Sequence, residues 1–206
     1  MYIELTDEYN CGDIVKIENN HAYVFRFGEE KWCKCENIYL DPKNNQYKIL
    51  SENEVPLMIN KRRLLLEKLL KLAEETAKRK HKNQYDKAGK PYIEHPRAVA
   101  SFVDDTEAKI TAWLHDVIED TDTEPDELLN AGFTKRITDT VCTLTHRDGI
   151  DYFDYLKSVK TNRLARIVKL ADLKHNMDLS RISNPSEKDF LRLKKYEKAK
   201  KYLSDS

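Results

Sequence analysis

Apolar residues change their period near residue 56. Before it they fall in short runs. Ile14, Val15 and Ile17, then Ala22 to Phe27, flank Asn19-Asn20 and read as a β-hairpin closed by a tight Asn-rich turn. Residues 31–35 and 46–50 read as two more strands, with 41–45 as a loop. Four short strands make a small sheet or barrel, expected over residues 1–55, with 51–56 as the linker. After Pro56 the period becomes helical. Leu65, Leu69, Leu72, Ala73 and Thr76 recur on one face of a long helix, and Lys61-Arg62-Arg63 and Lys78-Arg79-Lys80 read as its solvated side. A loop over 83–94 contains Gly89 and Pro91, and Pro96 stands at the first position of the next helix, whose buried stripe is Val99, Phe102 and Val103. Ile110, Trp113, Leu114, Val117 and Ile118 mark another helix. Thr123 caps a short helix ending before Gly132, and Asn162 caps the helix of Leu164, Ile167, Val168 and Ala171. A last helix buries Phe190, Leu193, Tyr196 and Leu203. The expected fold class is mainly α: a helical bundle over 56–206 preceded by a small N-terminal β module over 1–55.

Charge narrows the partners. The 206 residues hold 36 Lys plus Arg against 36 Asp plus Glu, without the basic excess of a nucleic-acid binder. Residues 1–55 carry eleven acids and six bases, so a mild positive excess falls on the remainder, which would suit an anionic small molecule. No run of eighteen apolar residues suggests a membrane span. The start, Met1 to Glu8, lacks the basic and apolar stretches of a secretory leader. Reduced cysteines and a cytoplasmic location are therefore expected. Cys33 and Cys35, with Cys11 and His21, lack the paired CxxC spacing of a zinc site, and these cysteines read as ordinary strand cysteines.

Four separated positions can converge on one divalent ion. His95 sits at a helix N-terminus, where the dipole favours the neutral, metal-binding imidazole. His115 and Asp116 are adjacent near the end of the Ile110–Ile118 stretch, and Asp172 borders the Val168/Ala171 stripe. A carboxylate beside a buried stripe costs several kcal/mol unless paired or metal-bound. Each position alone has a plain structural explanation, such as a satisfied core histidine or a solvated helical acid. Their weight comes from Glu119 and Asp120, one helical turn beyond His115 and Asp116, which line up three acids on one edge. That edge repels itself unless a cation neutralises it. Two histidines and two carboxylates suit Mn²⁺, Fe²⁺ or Zn²⁺ with positions open for water. Glu119 and Asp120 are then suited to orient or deprotonate that water.

Three stretches carry a resemblance: Lys87 to Ala100 (KAGKPYIEHPRAVA), Trp113 to Thr121 (WLHDVIEDT) and Val168 to Met177 (VKLADLKHNM). Over roughly residues 60–180 they resemble, in order, the HD superfamily of metal-dependent phosphohydrolases, and more narrowly the hydrolase domain of RelA/SpoT homologues and the small alarmone hydrolases. The resemblance implies an HD-domain helical bundle holding one Mn²⁺ on His95, His115, Asp116 and Asp172. Glu119-Asp120 would act on water, and Lys87 and Asn176 would contact the nucleotide. The implied reaction removes the 3′-pyrophosphate of guanosine tetra- or pentaphosphate, giving GDP or GTP plus pyrophosphate. Cations near a leaving pyrophosphate favour that reaction, with Lys87 the first candidate and Lys90 and Arg97 behind it.

This sequence departs from the pattern in places. Asp86 stands where the long enzymes carry an Arg, and Leu179 replaces a hydroxyl residue. The β module lies outside the pattern. His81 is expected to orient the Lys87 loop, and His146 and His175 to be solvated or locally bonded. The expected partner is a small phosphorylated nucleotide, with no nucleic acid and no membrane. Self-association and the partner of the β module stay open. Alternatives are another HD phosphohydrolase (an NADPH 2′-phosphatase or a nucleotidase) or a catalytically idle nucleotide-binding scaffold.

Overall fold

The computed structural model describes residues 1–6, 12–19, 21–35, 47–182 and 184–205. Cys11, Asn20 and the expected loop over 41–45 lie outside the described residues. The N-terminal part is an antiparallel sheet of five strands, β1 (Tyr2–Leu5), β2 (Ile14–Glu18), β3 (His21–Arg26), β4 (Lys31–Cys35) and β5 (Tyr47–Leu50), in the order β4-β3-β2-β1-β5. Four strands were expected. The added one, β1, runs between β2 and β5 with Ile3 opposite Val15 and Ile49. Its alternation sets Ile3 and Leu5 on one face with Val15 and Val24. On the other face Ile14 and Leu50 pack on Val55, with Tyr2 and Trp32 at their edge. Cys33 and Cys35 pair with Val24 and Ala22 in the ladder.

The rest is helical: α1 (Glu54–Lys80), α2 (Glu94–Ser101), α3 (Thr106–Leu114), α4 (Val117–Asp120), α5 (Pro125–Asn130), α6 (Lys135–Leu144), α7 (Tyr152–Thr161), α8 (Arg163–Asn176), a 3₁₀ turn (Leu179–Arg181) and α9 (Glu187–Ser204). None of the described helices is long and apolar enough to cross a membrane. Helix α1 starts before Pro56, because a first-turn proline lacks only an N–H that has no helical partner. Glu54 fixes that start by accepting from both the amide and the hydroxyl of Ser51, each at 2.8 Å. Its buried face runs through Arg62, Leu66, Leu69 and Ala73, while Leu65 is exposed. Thr123 is no cap. Glu124 and Glu127 form a capping box for α5 instead. Phe102 is exposed beneath the Lys174 ammonium, and α9 buries Ala199 and Leu203 but leaves Phe190 in solvent. Asn162 caps α8, accepting from the Ala165 amide at 3.1 Å.

Helix α3 runs through the centre and packs on α1, α2, α6 and α8. Two features fasten the sheet to it. The β3–β4 turn seats on its start, where the Thr106 amide donates to the Phe27 carbonyl at 2.9 Å. Gly28 in that turn has φ +92°, and a Cβ there would run into the Asp104 carbonyl. Gly28→Ala is therefore expected to combine left-handed backbone strain with a backbone clash. It should lower the thermal midpoint by roughly 4–12 °C, about 2–3 kcal/mol, as read by circular dichroism.

The second feature is a buried ion cluster. Arg136 of α6 makes a two-pronged contact with Asp13 (2.7 and 2.9 Å) and reaches Glu107 of α3 at 2.6 Å. Arg62 of α1 joins at 3.0 Å from Glu107. The helical face expected to be solvated at Arg62 is thus an interior charge with partners distant in sequence.

Candidate metal centre and cleft

Four elements bring the histidine and aspartate donors together. His95 is the second residue of α2. His115 ends α3, Asp116 precedes α4, and Asp172 lies in the last turns of α8. Ile110 to Ile118 reads as one helix, but the structure interrupts it at His115-Asp116, where Asp116 takes φ −100° and ψ −3°. This lets neighbouring side chains meet, with His115 Nε2 3.1 Å from Asp116 Oδ2. His95 Nε2 lies 3.2 Å from His115 Nε2, 3.3 Å from Asp116 Oδ2 and 3.2 Å from Asp172 Oδ1. Donors held about 2.0–2.2 Å from a common ion stand roughly 3.0–3.5 Å apart. The three edges at His95 and the His115–Asp116 edge match that spacing, while His115 Nε2 and Asp172 Oδ1 stand 3.9 Å apart. His95, His115 and Asp172 are buried and form a group that could hold a metal ion, with Asp116 beside the two imidazoles.

Electrostatics support the same reading. His115 Nδ1 faces the Ala112 carbonyl at 2.7 Å, and a carbonyl only accepts. The proton is thus assigned to Nδ1, leaving Nε2 free to donate to a metal. Burial raises Asp116, but His115 and His95 hold it well below the carboxylate range. Burial likewise opposes the ionised form of Asp172, and Lys169 at 2.9 Å, then His95, hold it down. His95 departs from expectation. Burial pulls its imidazole down, yet the hydrogen bonds it donates to Asp116 and Asp172 outweigh this and lift it to about 9. Without a cation the site keeps a proton on His95, and the helix dipole does not prevent it.

Metal binding must displace that proton. Mn²⁺ affinity is accordingly expected to rise with pH up to about 9 and then level. Near pH 7.5 binding should release about one proton. Calorimetric Mn²⁺ titration in buffers of different ionisation enthalpy measures this, and zero release would contradict it.

Glu119 and Asp120 both line the cleft beside His95, Asp116 and Asp172. Glu119 accepts the His146 amide at 2.7 Å, and burial still pushes its carboxyl up, with Asp116 adding to the effect. A carboxylate raised toward neutrality is a better proton acceptor. Asp120 is held differently. Tyr92 puts its hydroxyl between Asp116 (2.6 Å) and Asp120 (2.8 Å). Burial and those two carboxylates push the phenol far up, so it remains a donor.

Lys87 lies on the cleft rim, and Asn176 donates to Asp172 Oδ1 from inside it. Lys90 and Arg97 do not line the cleft, and Arg97 pairs with Glu94 instead. His81 bonds Gln84 at 2.7 Å, and Gln84 donates to the Asp120 carbonyl at 2.7 Å. His81 therefore holds Gln84, in the loop that carries Lys87, and through it the Asp120 carbonyl, while its ring packs on Tyr92. His175 is neither solvated nor idle: its Nδ1 lies 2.7 Å from Nδ1 of His95. Tyr92, Lys169, His175 and Arg181 escape the sequence reading. Lys169 and His175 carry a signal, since both stand three positions from Asp172 on its helical face. The cleft encloses about 420 Å³, and Arg192, Lys195 and Tyr196 of α9 close its far side.

Fold and site together define a helical protein with a candidate divalent-metal centre in a cleft lined by both acids and cations. An HD-domain family model matches residues 73–185, more than half of the chain, and the chain belongs to the HD-domain family. It is 35% identical over 119 residues to the guanosine-3′,5′-bis(diphosphate) 3′-pyrophosphohydrolase of Haemophilus influenzae, covering 47% of this chain and 16% of that protein. The protein of the same name from Borreliella burgdorferi is 31% identical over 165 residues, covering 70% and 22%. The bifunctional (p)ppGpp synthase/hydrolase SpoT of Escherichia coli is 32% identical over 125 residues, covering 53% and 18%. The chain thus spans about a fifth of the length of these relatives. A solved structure described as a metazoan orthologue of SpoT that hydrolyses ppGpp superimposes with a TM-score of 0.56 at 21% identity, covering 66% of this chain and 86% of that one. That likeness is one of fold.

Proposed function

We propose that this protein is a cytoplasmic, Mn²⁺-dependent hydrolase that removes the 3′-pyrophosphate of guanosine tetra- or pentaphosphate. Residues 56–206 are the catalytic domain and 1–55 an accessory module. The observation that carries the reading is the convergence of His115, Asp116 and Asp172 on His95 Nε2 at 3.2–3.3 Å, with the raised carboxyl of Glu119 in the same cleft. The names of the curated relatives supply the substrate class.

A divalent ion on the four donors supplies charge stabilisation and lowers the pKa of water. The chain's own groups do the rest. Glu119 takes the proton as water attacks the phosphorus attached to the 3′-oxygen. The 3′-O–P bond breaks, pyrophosphate leaves, and the 3′-oxygen is protonated to give GDP or GTP. Asp120, bonded to Tyr92, orients the water beside Glu119. Lys87 and the α9 cations hold the departing charge. Asn176 fixes Asp172 and borders the nucleotide.

The test incubates Mn²⁺-loaded protein with guanosine tetraphosphate, NADPH and nucleoside monophosphates, and identifies products by mass. GDP plus pyrophosphate from the tetraphosphate is expected. Release of phosphate from NADPH or a monophosphate alone, or no turnover at all, overturns the reading.

A further inference from the structure

Asp86 poses a difficulty for any substrate rich in phosphate, because it sets a carboxylate at the mouth of the cleft. The structure resolves it with a residue far along the chain. Arg181, at the end of the 3₁₀ turn after α8, reaches back 95 positions and places Nη2 2.8 Å from Asp86 Oδ2. The other oxygen of Asp86 accepts the amides of Ala88 and Lys90, both at 2.9 Å. That carboxylate therefore shapes the loop carrying Lys87, and its charge is answered by a guanidinium.

The second arm of Arg181 points the other way. Nη1 lies 2.9 Å from Nδ1 of His175, the same atom that meets Nδ1 of His95 at 2.7 Å. A guanidinium only donates. His175 Nδ1 must then be the acceptor, and the proton between the two rings belongs to His95 Nδ1. Such an outer bond orients a metal-binding imidazole and fixes its tautomer. Here it points His95 Nε2 at His115, Asp116 and Asp172, so that this nitrogen is the one that presents a lone pair once its own proton is displaced.

We propose that Arg181 is a positioning residue with two clients, the His95 imidazole through His175 and the Lys87 loop through Asp86. From another part of the chain it neutralises the carboxylate at position 86, and it ties the Lys87 loop to the metal centre. Only the substrate arm of this inference rests on the hydrolase reading.

The two arms separate experimentally. Arg181→Ala is expected to weaken calorimetric Mn²⁺ affinity about 10–100-fold and to raise KM for guanosine tetraphosphate. Asp86→Asn keeps the acceptor for the loop amides and removes the charge that faces Arg181. It is expected to raise KM while Mn²⁺ affinity stays within about threefold, since the contact with His175 remains. Arg181→Lys retains the charge but can serve one client at a time, and should lose either affinity or KM. Parental Mn²⁺ affinity in folded Arg181→Ala overturns the proposal, as does Arg181→Lys unchanged in both. Equal loss of Mn²⁺ affinity in Arg181→Ala and Asp86→Asn overturns the two-client arrangement. If the protein leaves guanosine tetraphosphate intact but Arg181→Ala still loses Mn²⁺, the hydrolase reading fails and the role of Arg181 at His95 stands.

Discussion

Glu119→Gln is expected to bind Mn²⁺ as the parent protein does and to lose about 10²–10⁴ in turnover, the usual worth of a positioned general base. The argument is geometric. Glu119 lies in the cleft and hydrogen-bonds the His146 amide, but it has no contact with His95 or His115 of the kind that Asp116 and Asp172 make. Gln preserves shape and an acceptor oxygen, so the His146 bond survives and only proton acceptance is lost. Asp116→Ala gives the contrast. It removes an oxygen within 3.3 Å of both imidazoles, and with it the partner of Tyr92. Mn²⁺ affinity and turnover should fall together. Calorimetry beside a discontinuous product assay separates the variants. Undiminished turnover in Mn²⁺-loaded Glu119→Gln removes that residue from proton transfer.

Arg136→Ala should have the largest effect on stability. It leaves Asp13 and Glu107 buried with Arg62 as the remaining arginine of the cluster, 3.0 Å from Glu107 but 3.8 Å from Asp13. Breaking a buried ionic group by deleting one partner costs about 3–5 kcal/mol. For a chain of this size that is a drop of roughly 6–20 °C in thermal midpoint. The linkage also has a sign. Burial raises Asp13, but the Arg136 hydrogen bond and charge lower it further, so its folded pKa lies below its ordinary value. The stability it contributes is present above the unfolded carboxylate pKa and disappears as pH falls through the folded one. The parent should therefore lose more midpoint than Arg136→Ala on acidification, and parallel curves would refute this. Lys157→Ala, which breaks the exposed pair with Asp154, should leave the midpoint unchanged.

What was legible in the sequence was local. The spacing of Ile14 to Phe27 marks a hairpin, Asn162 reads as a cap, and the His115-Asp116 and Glu119-Asp120 pairs lie within one segment whose chemistry can be read as a unit. Strand β1 was available through the alternation of Ile3 and Leu5, but four residues give little periodic signal. The phase of α1 misleads because leucines occur on several of its faces, and Leu66 rather than Leu65 packs inward. Arg62 could not be placed, since its carboxylates are remote in sequence and its local setting, Lys61-Arg62-Arg63, is that of a solvated face. The same holds for Arg181. Its two partners become neighbours only when the 3₁₀ turn folds back over α2 and the loop before it.

The interruption between α3 and α4 carries a practical lesson for anyone borrowing this centre. On an unbroken helix, consecutive side chains splay by about 100°, and an imidazole and a carboxylate at successive positions would diverge by more than a right angle. A scaffold given the His-Asp dipeptide alone would thus inherit two unrelated groups. What has to be transplanted is the two-residue break between the helices, with the segments on either side that hold sequence neighbours at one centre.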